Sequence, residues 1–409
     1  MIDPSCTLSN SLFSAWVQTL GQVTKEREAE PLESICDGVK RLWQRFTIAR
    51  STELQVDYWD DPALRQAYLA YYFPVNAAKV QSLLHEMQKP TACDNRGEKP
   101  FRVLDLGCGL GTATHAIRDW ASRSNVLQNR PLRFVALDQS IPALQECKRF
   151  WQIYSREMPD RKGELETVRA DLERFTSAHA MRVVGTCYDL IIMANTLNEL
   201  FKGTRDCVSA RAELVKEVLN ILDMAGTLIL IEPALRHTSR QLHTIRDLLL
   251  AQGVGNVYSP CLHEYGCPAL IKQSDWCHEE RPWRPPALVQ AIDRRVGLIK
   301  DGLKFSYLML RKDGQHIIRR SPDVFRVVSE LREMKGEKRA WLCNETGRNE
   351  VGRLDREASG QNSTFASWHR GAIVRVEEIV RKSVGDRRSM VGRILRTTVT
   401  ELLRSISQH

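Results

Sequence analysis

The sequence predicts a doubly wound α/β domain, with a helical domain before it and a cysteine-bearing loop, a small β module and a basic tail after it. Three observations carry that reading. From residue 101 to about 256, short apolar runs alternate with helix-period segments, the pattern of a parallel sheet covered on both faces. The first of those runs ends in D-x-G-x-G-x-G and opens a helix, at the position where such a sheet takes its ligand. Further on, Ser259 to Trp283 gathers three cysteines among Pro260, Pro268 and Pro282 in one non-periodic loop that an ordinary enzyme core does not need. The expected divisions are a helical N-terminal domain over 1–95, the α/β core over 96–256, the cysteine loop with a last strand and a basic hairpin over 257–350, and a basic helical tail over 351–409.

Composition narrows the class. At 409 residues the chain exceeds a single small core. Its 43% hydrophobic and 27% charged content is that of a globular protein. No apolar run reaches about 18 residues, so no membrane span is expected. The first basic residue is Lys25 and an acid stands at Asp3, which fits neither a secretory signal nor an Arg-rich transit peptide, so a cytoplasmic protein is expected. Lys and Arg total 59 against 50 acids, a net +9 that suits a polyanionic partner. Eleven cysteines are then expected as reduced thiols, and a close group of them reads as a metal or catalytic site rather than as disulfides. Cys147, Cys187 and Cys207 sit in apolar or helical contexts and read as ordinary residues.

Taken in order, SICDGVKRLWQRF and DDPALRQAYLAYYFPVNAAKVQSLLHEM carry helical periodicity. In the second, Asp61 is placed to cap a helix with Pro62 at its first position, and Pro74 is expected to break or kink it. The polar stretch Gln88 to Pro100 reads as a linker. Strands follow at FRVLDLG, LRFVALD, VRADLE, YDLIIMA and GTLILIEP, with helices from Thr112 and Pro142 and near Ala210 and Arg240. Beyond the cysteine loop, KFSYLMLRK reads as an edge strand and residues 324–347 as a hairpin turning near Lys335 and Gly336. From Gly371 the apolar spacing reads as amphipathic helices with Arg-rich faces.

The glycine loop is Gly107, Gly109 and Gly111. A side chain there would keep the backbone from its ligand, and tight turns need positive φ. Asp105 opens the motif. Asp138, at the end of the next strand, is positioned to accept from ribose hydroxyls, and Asp171 could accept from an adenine amino group. With these residues the segment resembles class I S-adenosylmethionine-dependent methyltransferases. A nicotinamide-binding domain is the alternative, but its G-x-G-x-x-G spacing would require glycine at Thr112. Methyl transfer asks mainly for proximity and orientation, with a base only where the nucleophile carries a proton. Asn195 and Asn198, with Glu199, follow the fourth strand at the expected mouth of the site and are the catalytic candidates; asparagines there also serve as turn or cap residues.

Cys261, Cys267 and Cys277 supply three soft ligands, and a fourth is needed for a tetrahedral zinc or a cubane cluster. His263 or His278 could close a Cys3His site, or Cys343 could return from the hairpin. The long, irregular spacings tilt towards iron and sulfur over zinc. A methyltransferase-like domain followed by P-C-x-H-x3-C-P, D-W-C-H and the later WLCNETG resembles the small-ribosomal-subunit-associated methyltransferase-like family, over roughly residues 55 to 350. That resemblance implies a [4Fe–4S] cluster on Cys261, Cys267, Cys277 and Cys343, S-adenosyl-L-methionine as cofactor, and small-subunit ribosomal RNA or the ribosomal subunit as partner.

Lys300, Lys304, Arg311, Lys312, Arg319, Arg320 and Arg326, with Arg387, Arg388, Arg393 and Arg396 in the tail, could track phosphates while Tyr307, Phe325 and Trp341 stack bases. Three functions are therefore weighed: methylation of small-subunit ribosomal RNA, non-catalytic ribosome assembly or RNA binding, and methylation of a small molecule or protein with a structural zinc.

Overall fold

A computed structural model of the chain describes residues 8–25, 32–47, 58–87, 99–124, 127, 130–159, 163–299, 301–381, 383, 384, 387, 388 and 391–405. Nearly all of the expected linker from Gln88 lies outside them. The chain forms two compact units, one built from Ile2–Ile231 with Pro282–Leu303, the other from Glu232–Arg281 with Lys304–His409.

The first unit begins with helices α1 (Asn10–Lys25), α2 (Leu32–Thr47), α3 (Pro62–Ala67) and α4 (Phe73–Leu84). Helix α2 buries Ile35, Cys36, Val39 and Leu42, one stripe of an amphipathic helix. Asp61 caps α3 by accepting from the Ala63 amide at 2.8 Å, with Pro62 in the first turn. Pro74 does not break the helical path. Tyr68–Tyr72 form one π turn in which the Phe73 amide bonds to the Tyr68 carbonyl, so Pro74 enters in the first turn of α4, where its missing N–H costs nothing.

The α/β part follows as β1 (Phe101–Leu106), α5 (Thr112–Arg123), β2 (Leu132–Asp138), α6 (Ile141–Glu157), β3 (Gly163–Arg169), α7 (Ser177–Val183), β4 (Tyr188–Ala194), α8 (Cys207–Ile221) and β5 (Leu222–Pro233). The strands run parallel in the order β3-β2-β1-β4-β5. Val103, Leu104, Leu106, Leu190, Ile191 and Ile192 are fully buried, as strands covered on both faces require. The order reverses between β1 and β4, the switch point beyond whose carboxyl ends sheets of this kind take their ligands. The helix Ala287–Val296, absent from the sequence reading, returns to this unit, and the buried Tyr71 hydroxyl donates to its Asp293.

The second unit holds α9 (Arg236–Ala251), β6 (Asn256–Ser259), β7 (Glu279–Pro282) and β8 (Gly302–Arg311), then β9 (Val324–Val327), β10 (Arg332–Met334), β11 (Glu337–Asn344), β12 (Gly347–Leu354), β13 (Ile373–Val376), β14 (Ser383–Val384), β15 (Arg387–Arg388), β16 (Val391–Arg393) and β17 (Thr400–Arg404). Strand β8, expected at an edge, carries β6 antiparallel along it. The hairpin turn falls at Lys335 and Gly336 between β10 and β11, with Gly336 at φ +75°. A seven-stranded sheet runs β16-β12-β11-β9-β13-β17, with β10 on β11. It closes over Phe325, Val327, Leu342, Val351, Phe365, Trp368, Val374 and Ile394.

The basic helical tail expected over 351–409 is corrected: its described residues hold strands and short 3-10 turns and no α-helix; β13, β16 and β17 complete this sheet, while β14 and β15 pair with each other. The spacing in AIVRVEEIV suits a helix, but Ile373, Val374 and Val376 are β-branched. The chain there pairs with β9, Val374 opposite Phe325 and Arg375 opposite Val324, so tertiary pairing overrides local period. Among the described residues, no helix is long and apolar enough to cross a membrane.

Candidate functional site

Two sites emerge, one in each unit. In the first, the chain leaves β1 through Gly107 (φ +73°), Gly109 (φ +52°) and Gly111 (φ +76°), and Gly111 caps α5. Each left-handed turn favours glycine. A Cβ on Gly109 would come within 2.7 Å of Trp59 Cζ2, and Cβ atoms on Gly107 and Gly111 would collide with Thr196 and Cys147. The loop is tied to its neighbours on both sides. The Gly107 and Cys108 amides donate to the Leu137 carbonyl at 2.8 and 3.0 Å, and Thr196 Oγ1 donates to the Leu106 carbonyl at 3.2 Å.

Asp138 closes the loop from β2. Its Oδ2 accepts from the Gly109 amide at 2.8 Å and its Oδ1 from the Ser140 amide at 2.9 Å. Asp105 lies beneath, 2% exposed, its Oδ2 accepting from both the Thr114 amide (3.0 Å) and hydroxyl (2.7 Å). Burial pushes its carboxyl up to about 7; the Thr114 bonds pull down and the Asp138 charge adds to the rise. These five residues form one constellation. Asp171 stands apart at the surface, capping a 3-10 turn by accepting from the Glu173 amide at 2.9 Å and lying 3.6 Å from Arg174. Asn195 adopts a left-handed conformation (φ +58°) just past β4, and Asn198 is buried in the 3-10 turn Leu197–Glu199.

Sequence reasoning missed the aromatic wall beside the loop. Trp59, against Gly109, packs on Tyr58 (4.3 Å between ring centroids) and Tyr68 (4.9 Å), and Tyr68 stacks on Tyr72 at 5.6 Å. Burial raises the Tyr68 phenol, and Asp105 and Asp138 are near enough to add to the rise. The tyrosine-rich run was legible, but its side facing the loop was not.

In the second unit, Cys261, Cys267, Cys277 and Cys343 come together. Burial raises the thiols of Cys267, Cys277 (to about 11) and Cys343; Cys261 adds to each rise, Cys277 also acts on Cys267, and both act on Cys343. His263 is buried, with Nε2 3.7 Å from Cys343 Sγ, and burial followed by the Arg246 charge pushes it down to about 4. His278 is likewise pushed down to about 4 by burial and then Arg370. Among the described residues no three His, Cys, Asp or Glu side chains stand as ligands round a single metal ion. Arg246 Nε, His263 Nδ1, Trp276 Nε1 and His278 Nδ1 are buried with no hydrogen-bond partner. A soft four-sulfur donor set with Arg246 and His263 beside it fits a thiolate-held centre.

Helix α9 holds the cysteine loop by its backbone, a feature the sequence reading did not foresee. Arg240 donates to four loop carbonyls, Ala269 (2.9 Å), Leu270 (3.1 Å), Lys272 (2.8 Å) and Asp275 (2.8 Å). His243 Nε2 lies 3.1 Å from the Cys277 carbonyl, and Arg246 donates to the His263 and Tyr265 carbonyls. The spacing 240, 243, 246 sets all three on one helical face, the signal that could have found them.

Several residues expected to meet RNA serve the fold instead. Tyr307 and Phe325 are buried, and Arg326 pairs internally with Glu279 at 2.8 Å. Arg311 pairs with Asp313, Arg320 with Glu264 and Arg393 with Glu337. Arg319 and Arg396 remain exposed, and Trp341 is half-buried under Arg348. Lys300 lies outside the described residues.

Among solved structures, the chain is similar to an S-adenosylmethionine-dependent methyltransferase from Clostridium acetobutylicum (11% identity, 67% of this chain and 98% of that one, TM-score 0.28). It is also similar to the citrinin polyketide synthase CMeT domain (12%, 73% and 69%, TM-score 0.37) and to the mitomycin 7-O-methyltransferase MmcR (15%, 72% and 72%, TM-score 0.32). The strand order and glycine loop of the chain itself, not these likenesses, carry the class I methyltransferase fold. No curated protein matches the chain. Residues 63–354, more than half of the chain and a span that includes both sites, match the family described as mitochondrial small ribosomal subunit Rsm22, and the chain belongs to that family.

Proposed function

We propose that the chain binds S-adenosyl-L-methionine at the glycine loop, carries a [4Fe–4S] cluster on Cys261, Cys267, Cys277 and Cys343, and acts on or assembles the small ribosomal subunit, with methylation of its RNA as the reaction. The observation that carries the reading is the loop of three left-handed glycines between Asp105 and Asp138 at the switch point. The Rsm22 description supports the ribosomal partner. The left-handed turns at Gly107, Gly109 and Gly111 fold the loop tightly past the carboxyl end of the first strand, where such a sheet takes its ligand, and Asp138 at the end of the second strand is assigned the ribose hydroxyls. Asp171, two residues past the end of the third strand, is assigned the adenine amino group. The cofactor supplies a methyl group on a sulfonium; the protein's part is to bind, orient and exclude water. Asn195 and Asn198 are assigned to the acceptor side.

For the cysteine centre, a single zinc would need four sulfurs at about 2.3 Å from one ion. A cubane takes one thiolate per iron, and the four cysteines, near enough to act on one another, supply one for each iron. A non-catalytic assembly factor is the second reading. It is favoured by the chemistry of Asn195 and Asn198, whose carboxamide side chains can hydrogen-bond but cannot serve as a base.

Calorimetric titration with S-adenosylmethionine tests the pocket. Binding is expected in the wild type and should be about tenfold or more weaker in Asp138→Ala, the loss of charge-assisted hydrogen bonds; no heat from the wild type removes the methyltransferase reading. Anaerobically purified protein should carry iron and sulfide, and less of both in Cys343→Ser; zinc alone would replace the cluster with a structural ion. Methyl transfer from labelled cofactor to small-subunit RNA then separates enzyme from assembly factor.

A further inference from the structure

The cysteine centre is surrounded by arginines whose arrangement does more than brace the loop. Arg246 projects from α9 with its side chain fully buried. It pairs with Asp247, whose Oδ2 is also spent on the Cys267 amide at 2.8 Å. The two terminal nitrogens of Arg246 bond to loop carbonyls, and its Nε has no partner. On the β module, Arg348 is the direct cross-strand partner of Cys343. Directly opposed residues share one face of a sheet, with Cβ atoms about 4.5–5.5 Å apart. Arg348 pairs with Asp275 from the loop, and its Nε is likewise buried and unpartnered. Arg326 opposes Cys343 on the other side, but it is engaged by Glu279 and the Tyr307 hydroxyl.

A centre held by four thiolates is net anionic, and placing a net anion in a buried site is costly unless cations stand beside it. On both Arg246 and Arg348 the Nε donor is spent neither on the acid partner nor on a carbonyl. We propose that Arg246 and Arg348 are positioning residues of the cysteine centre, offsetting the negative charge of a tetrathiolate cluster and so governing how firmly it is held and how readily it accepts an electron. This rests on the metal reading above and adds residues outside the ligand set. A cation favours the state with the extra electron, because reduction adds negative charge; net charge and hydrogen bonds to sulfur are the levers that set cluster potentials.

The test uses the full chain, reconstituted anaerobically with ferrous iron and sulfide and titrated with dithionite through mediators while the visible absorbance is followed. At the wild-type midpoint, Arg348→Gln should show an about tenfold lower ratio of reduced to oxidised cluster, equal to a midpoint about 59 mV more negative for one electron. Arg348→Lys, which keeps the charge, should restore most of the shift, whereas a purely bracing role would leave the potential in place. Arg246→Gln should release its iron to a chromogenic chelator about tenfold faster than wild type, in line with an uncompensated buried charge. If Arg246→Gln does not fold, Arg348→Gln carries the test alone. Where the wild type holds zinc instead, release of zinc from Arg348→Gln is compared in the same way. Unchanged midpoint and unchanged release overturn this proposal alone. A wild type that takes up neither iron–sulfide nor zinc overturns the metal reading with it.

Discussion

Asp105 offers a measurement in which the glycine loop reports its own electrostatics. Its carboxyl is pushed from 3.8 up to about 7, chiefly by burial, with Asp138 adding to the rise. The folded state therefore keeps its proton to higher pH than the unfolded chain, so it binds more protons between those values. Stability must fall as pH rises through that window and level off above it. Both Thr114 bonds end on one oxygen, Oδ2, which an amide carbonyl can replace. Asp105→Asn thus keeps the bonds and removes the titration. From about pH 5.5 to about pH 8.5 the aspartate loses about 2 kcal/mol, taking 1.36 kcal/mol per pH unit over the part of the window below 7. Urea unfolding of both proteins at the two pH values reads this directly, since every other group titrates in both and cancels. Asp105→Asn should gain about 2 kcal/mol on wild type between the two conditions. A gain under about 0.5 kcal/mol, the scatter of such comparisons, would falsify the claim that burial raises this carboxyl.

Other perturbations test the supports of the two sites. Gly111→Ala combines a left-handed backbone, about 1–2 kcal/mol, with overpacking against Cys147, about 1–3 kcal/mol. It should destabilise the first unit by about 2–5 kcal/mol in urea melts, and Cys147→Ala in the same chain should recover only the steric share. Tyr71→Phe removes the hydroxyl bonded to Asp293 and should cost about 1.5–3 kcal/mol as a buried bond to a charged group; melts unchanged from wild type would show that this bond contributes nothing. Arg240→Met strips donors from four loop carbonyls. Tryptic nicking at the exposed Lys272, followed by mass spectrometry, should then accelerate several-fold, and equal rates would deny the brace.

How far the sequence reached follows from where each signal lives. The α/β alternation and the glycine loop are local: each strand and each left-handed turn is written in its own few residues, so β1 to β5, Gly107, Gly109, Gly111 and the place of Asp138 at the end of β2 could be read directly, whereas its bond to the Gly109 amide could not. The convergence of Cys343 with the loop cysteines was reached through resemblance, because a separation of more than sixty residues leaves no periodicity to follow. The tail failed for a different reason. Strands of four or five residues such as β13 and β17 are too short to reveal a period of two, and their partners β9 and β13 decide their form. The basic residues failed most instructively, since a count of charges cannot tell an arginine facing solvent from one facing a carbonyl. Arg240, Arg246, Arg326 and Arg348 add to the same +9 as Arg319 and Arg396, yet the first four bond within their own unit and the last two stand exposed. The polyanion that net charge suggested is therefore met by fewer cations than the sequence counts. Arg246, Arg326 and Arg348 instead meet Asp247, Glu279 and Asp275 within their own unit.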